Sequence, residues 1–150
     1  MTRAALLVAT LLLAACGGSR GPMTVSSAPG YESGQAVVEQ FMGAVVDSNL
    51  TRMGQLWGTS RGPAAVTGDP SDWQRRIVAI QAWLKGGTSR VLGEDRTADP
   101  NRRTVTLELT RGGCARQVPF HVLRLSNGSW IVWSVDLEAA GNPGRPCNVP

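Results

Sequence analysis

The sequence predicts an α+β fold in which N-terminal helices pack on a curved four-stranded antiparallel sheet. Apolar residues recur at helical spacing through residues 34–84, and from Thr88 onward they alternate with polar residues at a period of two. The dipeptide Asn127-Gly128 lies between two alternating runs and is a strong signal for a β-hairpin. Helices first and hairpin-connected strands afterwards are typical of the α+β class.

The helical half divides into three segments. Apolar residues four apart predict a first helix over residues 34–49, and a shorter pattern predicts a second helix over residues 51–57. Asp69-Pro70 predicts the start of a third helix, with Asp69 as N-cap, and Gly86-Gly87 ends it. The segment 57–63 favours neither helix nor strand, so we expect a loop that carries function, with a plain connector as the alternative.

The four predicted strands share one apolar face. A two-residue loop at Asn127-Gly128 sets Phe120 opposite Val135, and a turn at Gly112-Gly113 sets Phe120 opposite Val105. Alternate residues of a central strand bond to opposite neighbours, so both turns cannot be tight without a bulge. We therefore expect the Gly112-Gly113 turn to be the wider one. The strands are predicted at residues 88–95, 103–111, 116–125 and 129–137.

The first sixteen residues predict export and lipid anchoring. Arg3 precedes an apolar run that is shorter than the roughly 20 residues of a transmembrane helix. Leu13-Ala14-Ala15-Cys16 resembles the signal of bacterial lipoproteins, although an ordinary signal peptide cut elsewhere is the alternative. The resemblance implies that residues 1–15 are removed and that Cys16 carries fatty acyl chains such as palmitate. The implied location is the cell envelope, at the periplasmic face of the outer membrane if the organism is diderm.

Composition excludes several classes of function. Fifteen Lys and Arg against eleven Asp and Glu give a net charge of +4, and these cations are scattered. Binding to nucleic acid needs clustered cations, so we expect no nucleic-acid partner. The chain has one histidine, and it has no CxxC or HExxH pattern. We therefore expect neither a metal ion nor a cofactor.

Cysteine usage predicts one disulfide. Three cysteines are present, and lipid on Cys16 leaves Cys114 and Cys147 as a pair. An exported protein meets an oxidising compartment, in which such a pair is normally joined. The Gly-, Ser- and Pro-rich residues 16–33 are predicted to be a flexible tether. The tail 139–150 is predicted to be coil that the disulfide pins across the end of the sheet.

Residues 34–138 resemble the NTF2-like (SnoaL-like, cystatin-like) superfamily. The resemblance is carried by three helices followed by four strands and by Gly128-Ser129-Trp130-Ile131-Val132, which matches a Gly-x-Trp-x-Val strand signature. It implies a cone with a helix-facing cavity for small molecules, and dimers that form through the sheet. Members of the superfamily include enzymes, binding modules and assembly domains, so the fold does not give the function.

The acid–base residues available in the sequence favour a non-enzymatic protein, and an enzyme is the alternative. Acid–base members of the superfamily use a tyrosine with an acid, but the single tyrosine, Tyr31, lies in the predicted tether. His121 and Asp136 are predicted on the face away from the helices. We expect a non-enzymatic envelope protein that binds a small apolar or anionic ligand or a protein partner. A SnoaL-like enzyme and a purely structural envelope component are the alternatives.

Two sets of residues are candidate sites. Aromatic residues and one arginine are predicted to line a ligand cavity, with ordinary core packing as the alternative for Trp73 and Trp133. A second set is predicted to form an apolar patch on the outer face of the sheet, which indicates a homodimer or partner contact unless the tail covers it. The ligand set is Trp57, Arg61, Trp73, Trp83 and Trp133, and the contact set is Leu123, Leu125, Trp130 and Val132.

Overall fold

The computed structural model describes residues 31–147. It confirms the α+β class and the four-stranded antiparallel sheet. The predicted signal peptide, Cys16 and residues 17–30 of the predicted tether lie outside the described residues. Within residues 31–147, no helix has the length and hydropathy needed to cross a membrane.

Side-chain hydrogen bonds cap the N-termini of the first two helices. The Ser33 hydroxyl accepts a hydrogen bond from the Ala36 amide at 3.1 Å, and the Asn49 carboxamide accepts one from the Arg52 amide at 2.9 Å. The second helix therefore begins at Leu50, after its cap Asn49, one residue before the predicted start at Thr51. The helices are α1 (Gly34–Val46), α2 (Leu50–Leu56), α3 (Ala64–Thr67), α4 (Trp73–Leu84) and α5 (Leu137–Ala140).

The third predicted helix begins later than expected. Asp69 is not its N-cap, because the Asp69 carboxylate accepts hydrogen bonds from the Thr59 hydroxyl at 2.6 Å and from the Arg61 guanidinium at 2.9 Å. Helix α4 begins instead at Trp73, after Asp72. A carboxylate that is fully engaged by another loop is not available to cap backbone amides.

The central pairing of the sheet agrees with the predicted register. Phe120 lies opposite Val105 on one side and opposite Val135 on the other. His121 lies opposite both Thr104 and Ser134. The sheet order is β3-β4-β5-β6, built from β3 (Thr88–Arg96), β4 (Arg102–Arg111), β5 (Cys114–Arg124) and β6 (Trp130–Val135), while β1 (Gly58–Thr59) and β2 (Gly62–Pro63) pair separately.

The two hairpin turns have the opposite widths to those predicted. Arg111 pairs directly with Cys114, so Gly112-Gly113 is a tight two-residue turn with both glycines at positive φ. The other turn has three residues, because the Leu125 amide donates to the Ser129 carbonyl at 2.8 Å. The extra residue shifts β6 by one position relative to β5, and Arg124 therefore pairs with Trp130.

A bulge at Trp133 then restores the predicted register. Val122 lies opposite Val132, whereas His121 lies opposite Ser134, so Trp133 is the additional residue. The two-residue turn predicted at Asn127-Gly128 would place Val122 opposite Trp133, so the predicted register is wrong at this position. Trp130 and Val132 face the helices and are 7% and 0% exposed, whereas Trp133 is 38% exposed. One residue added in a turn is enough to exchange the two faces of a strand.

The core lies between the helices and one face of the sheet, called the inner face below. Phe41 of α1 meets Phe120 of β5 edge to face, with ring centroids 6.2 Å apart. Both rings are fully buried, as are Ile77 and Leu84 of α4. The residues of β4 on this face are Val105, Leu107 and Leu109. Side chains therefore fill the space directly between α1 and the centre of the sheet.

A buried arginine closes one end of the inner face. Arg111 continues the alternation of β4 and is only 5% exposed. Its guanidinium donates to the Trp83 carbonyl at 2.6 Å, to the Gly141 carbonyl at 3.0 Å and to the Ala140 carbonyl. These carbonyls belong to the C-terminal ends of α4 and α5, where helices carry partial negative charge. Burial, with the nearby charge of Arg116, lowers the pKa of Arg111 from its ordinary value.

The tail is pinned at the same end of the sheet. The predicted pair is present: a disulfide joins Cys114 and Cys147, with their Cα atoms 5.4 Å apart. The Arg116 guanidinium also donates to the Pro146 carbonyl at 3.2 Å. The tail differs from the predicted coil at its start, because α5 forms there and the Asp136 carboxylate caps it through the Ala139 amide.

The edge strand β3 changes faces midway. Val91 pairs with Leu107 and Gly93 pairs with Thr106, so Leu92 is a bulged residue. Before the bulge Val91 lies on the inner face, and after it Glu94 does, opposite Val105. The Glu94 carboxylate accepts a hydrogen bond from the Gln35 amide at the start of α1.

Candidate functional site

The loop predicted to carry function is a rigid hairpin. Strands β1 and β2 pair Gly58 with Pro63, and Arg61 forms an ion pair with Asp69. Hydrogen bonds from Arg61 and Thr59 lower the pKa of the Asp69 carboxyl from its ordinary value. The predicted cation Arg61 is therefore engaged with the carboxylate of Asp69, which follows helix α3.

The five residues predicted to bind ligand do not form one cluster. Trp73 packs against the core, and a side chain at Gly54 would collide with its ring. Trp83 lies on an exposed part of α4, where its carbonyl accepts from Arg111. Only Trp57 and Trp133 line the same cleft. The structure therefore brings Trp57 and Trp133 to one cleft and places Trp73, Trp83 and Arg61 elsewhere.

This cleft lies between α4 and the edge of β6 and is called the α4–β6 cleft. Its volume is about 260 Å³, and its walls come from three parts of the chain. Trp57 lies at the end of α2 and pairs in parallel with Val132, which brings it to the edge of the sheet. Apolar side chains form much of the wall, and Arg76 supplies a cation. The other lining residues are Ala79, Ile80, Trp133, Ser134, Val135 and Leu137.

Trp57 carries an unmet hydrogen-bonding group at this cleft. The residue is 6% exposed, and its indole Nε1 is buried without a hydrogen-bond partner among residues 31–147. Buried donors are normally paired, since leaving one unpaired costs about 1–3 kcal/mol. Trp57 therefore combines a position beside the cleft with a donor that no atom of residues 31–147 satisfies.

Among residues 31–147, the only charged side chain that lines the cleft is a cation. Arg76 pairs with Asp72 one helical turn earlier, with Nε and Oδ1 2.8 Å apart. Both side chains are partly exposed, and such surface pairs contribute little to stability. This pairing lowers the pKa of the Asp72 carboxyl from its ordinary value. Arg76 can therefore exchange Asp72 for another anion at little cost.

A second cleft lies between α1 and β3. It is larger, about 500 Å³, and Met42, Val46, Val91 and Leu107 give it an aliphatic lining. Gly43 also lines it, and a side chain at this position would meet open space. This α1–β3 cleft is the alternative position for an apolar ligand.

The two groups with acid–base chemistry, His121 and Asp136, do not line either cleft. The His121 Nδ1 atom is 3.3 Å from the Thr104 hydroxyl, on the outer face of the sheet as predicted. The Asp136 carboxylate caps α5. Among residues 31–147, no group of His, Cys, Asp and Glu has the arrangement of a metal site. The His121 ring lies beside Trp133, with ring centroids 6.4 Å apart, but His121 itself does not line the α4–β6 cleft.

The predicted contact surface differs in composition from the observed outer face. Trp130 and Val132 belong to the core, because the three-residue turn exchanges the faces of β6. Leu123 is buried and Leu125 is half-buried. Trp133 replaces them as the exposed aromatic residue, with the Arg102 guanidinium 4.6 Å above its ring. The apolar patch that suggested a homodimer is therefore not formed by these four residues.

Sequence reasoning missed most of the wall of the α4–β6 cleft. Arg76 and Ala79 lie on the polar side of α4, where no pattern distinguishes them. The buried Arg111 did have a signal, because it continues the alternation of Val105, Leu107 and Leu109 onto the core side.

Comparison with known proteins identifies no relative. No protein-family model matches the chain. No curated protein matches it, and no solved structure does.

Proposed function

We propose that this protein is a lipid-anchored, non-enzymatic domain of the cell envelope that binds a small ligand in the α4–β6 cleft. The observation that carries the proposal is the meeting of Trp57 and Trp133 in a cleft with an apolar wall and one cation. Concave sites with few polar groups are the usual form of small-molecule sites. The proposed location in the cell envelope is supported by the lipoprotein-like signal that ends in Cys16.

The NTF2-like resemblance supports the same function. In that superfamily a curved sheet and helices enclose a helix-facing site, and here the α4–β6 cleft lies between helix α4 and the edge strand β6. The His121 side chain lies on the outer face of the sheet and does not line the cleft. A binding role therefore fits these positions better than a SnoaL-like acid–base reaction.

Filling the cleft should abolish ligand binding. The measurement uses a protein that comprises residues 17–150. In this protein we expect Ala79→Phe to weaken binding of the neutral apolar dye Nile red by about tenfold or more, because the new ring occupies the cleft. Fluorescence titration measures the affinity. Val78→Phe is the matched control, since Val78 is the adjacent, exposed residue of α4 and does not line the cleft.

A third variant tests the alternative position. Gly43→Phe fills the α1–β3 cleft, where a side chain has open space. If this variant weakens Nile red binding and Ala79→Phe does not, the ligand site lies between α1 and β3. If the dye binds equally to all variants, or does not bind the parent protein saturably, the proposed binding function is wrong.

Removing the anchor should release the protein from membranes. We expect Cys16→Ser to abolish labelling by a clickable fatty acid and to move the full chain into the soluble fraction, because one thioether-linked lipid carries the attachment. Labelling and membrane fractionation measure the two effects. Cys147→Ser is the control and should leave labelling unchanged. Unchanged membrane retention of the Cys16→Ser protein would contradict lipid anchoring at this residue.

A further inference from the structure

We infer that the ligand of the α4–β6 cleft is a small carboxylate on an apolar body, which the indole N–H of Trp57 and the guanidinium of Arg76 bind together. This inference rests on the proposed binding function and adds the chemical class of the ligand. Both groups only donate hydrogen bonds, and neither residue can accept one through its side chain. The cleft therefore complements a ligand rich in acceptors.

The charge of the wall selects an anion over a neutral acceptor. Among the lining residues, Arg76 is the one charged side chain, and no carboxylate belongs to the wall. Hydrogen bonds to an ionised acceptor are about twice as strong as neutral ones. A carboxylate also has two oxygens, one for Trp57 and one for Arg76. A cationic ligand would instead meet like charge and leave the Trp57 donor unpaired.

The unliganded state is prepared for this exchange. The Trp57 Nε1 atom is closed to solvent, although Trp57 itself borders the free volume of the cleft. The inferred contact requires the Trp57 ring to turn so that Nε1 faces the cleft. The ligand then relieves the cost of the unpaired donor, while Arg76 leaves the exposed pair with Asp72. The apolar part of the ligand contacts Ala79, Ile80 and Leu137.

Three eight-carbon compounds test the class of ligand. Octanoate, octanol and octylammonium share one chain and differ in the charge of the head group. Each compound is titrated against Nile red bound to the protein of residues 17–150. We expect octanoate to displace the dye at about tenfold lower concentration than octylammonium, with octanol between them. If all three compete equally and Ala79→Phe still abolishes dye binding, the site stands and the carboxylate class is wrong.

Two substitutions assign the donors. Trp57→Phe removes the N–H and keeps an aromatic ring, and Arg76→Gln removes the charge. Each should weaken octanoate competition by about tenfold, and Arg76→Gln should leave octanol unchanged. Arg75→Gln is the matched control, because Arg75 is the neighbouring, more exposed arginine and does not line the cleft.

A stability measurement separates binding from folding. Trp57→Phe removes an unpaired buried donor but also leaves a smaller ring in the core, so the two effects oppose each other and the unfolding temperature should stay nearly unchanged. Weaker octanoate binding together with undiminished stability assigns the indole N–H to the ligand. Undiminished octanoate binding by both Trp57→Phe and Arg76→Gln would overturn the inference.

Discussion

Replacing Arg111 by leucine is expected to lower the free energy of unfolding by about 3–5 kcal/mol. The substitution leaves the carbonyls of Trp83, Ala140 and Gly141 without their buried donor. Each buried acceptor left unpaired costs about 1–3 kcal/mol, and water entering the end of the sheet recovers part of the sum. Urea unfolding followed by tryptophan fluorescence measures the change, provided that the dependence on urea stays the same.

Two further variants define the cause of this loss. Arg111→Lys keeps the charge but offers one compact ammonium in place of a guanidinium fork, so it should recover only part of the stability. Arg145→Leu removes an exposed arginine from the tail at the same end of the molecule and should change the stability little. Equal stability of Arg111→Leu and the parent protein would show that the three carbonyls do not depend on Arg111.

Removing the disulfide should cost a similar amount. The bond joins residues 33 positions apart, and closing such a loop stabilises a protein by about 4 kcal/mol on the chain-entropy model. The double variant Cys114→Ser, Cys147→Ser should therefore unfold at lower urea concentration. Reduction should lower the stability of the parent protein to the same value and leave that of the double variant unchanged.

Thiol titration gives an independent measurement. The denatured and unreduced parent protein should show no reactive thiol from Cys114 or Cys147, since both sulfurs are in the bond. Two reactive thiols would contradict the pairing. The result does not depend on Cys16 if the Cys16→Ser background is used.

Most of the sheet could be predicted from the sequence, because alternation over several residues fixes which face of a strand is buried. The pairing of Phe120 with both Val105 and Val135 follows from this alternation. The faces of β6 could not be predicted, because they depend on whether the turn at Asn127-Gly128 has two or three residues. That difference exchanged Trp130 and Trp133 between core and surface.

The candidate site was predictable only in part. Aromatic content pointed to Trp57 and Trp133, but the chain contacts that separate them from Trp73 and Trp83 are tertiary. The predicted helix start at Asp69 failed for a related reason. Asp69 was expected to cap the helix, but its carboxylate instead forms an ion pair with Arg61. No spacing in the sequence reveals this ion pair.

The bulge in β3 also affects whether the exposed edge of the sheet can pair with strands of other molecules. An edge strand offers unpaired backbone groups to any other strand, and a flat edge invites stacking into fibres. Here the side chains on one face are odd-numbered before Leu92 and even-numbered after it. A second strand with a regular pleat can match one half of this edge but not both, and Arg90, Glu94, Asp95 and Arg96 add charge along it. The edge can therefore stay exposed without becoming a template for aggregation.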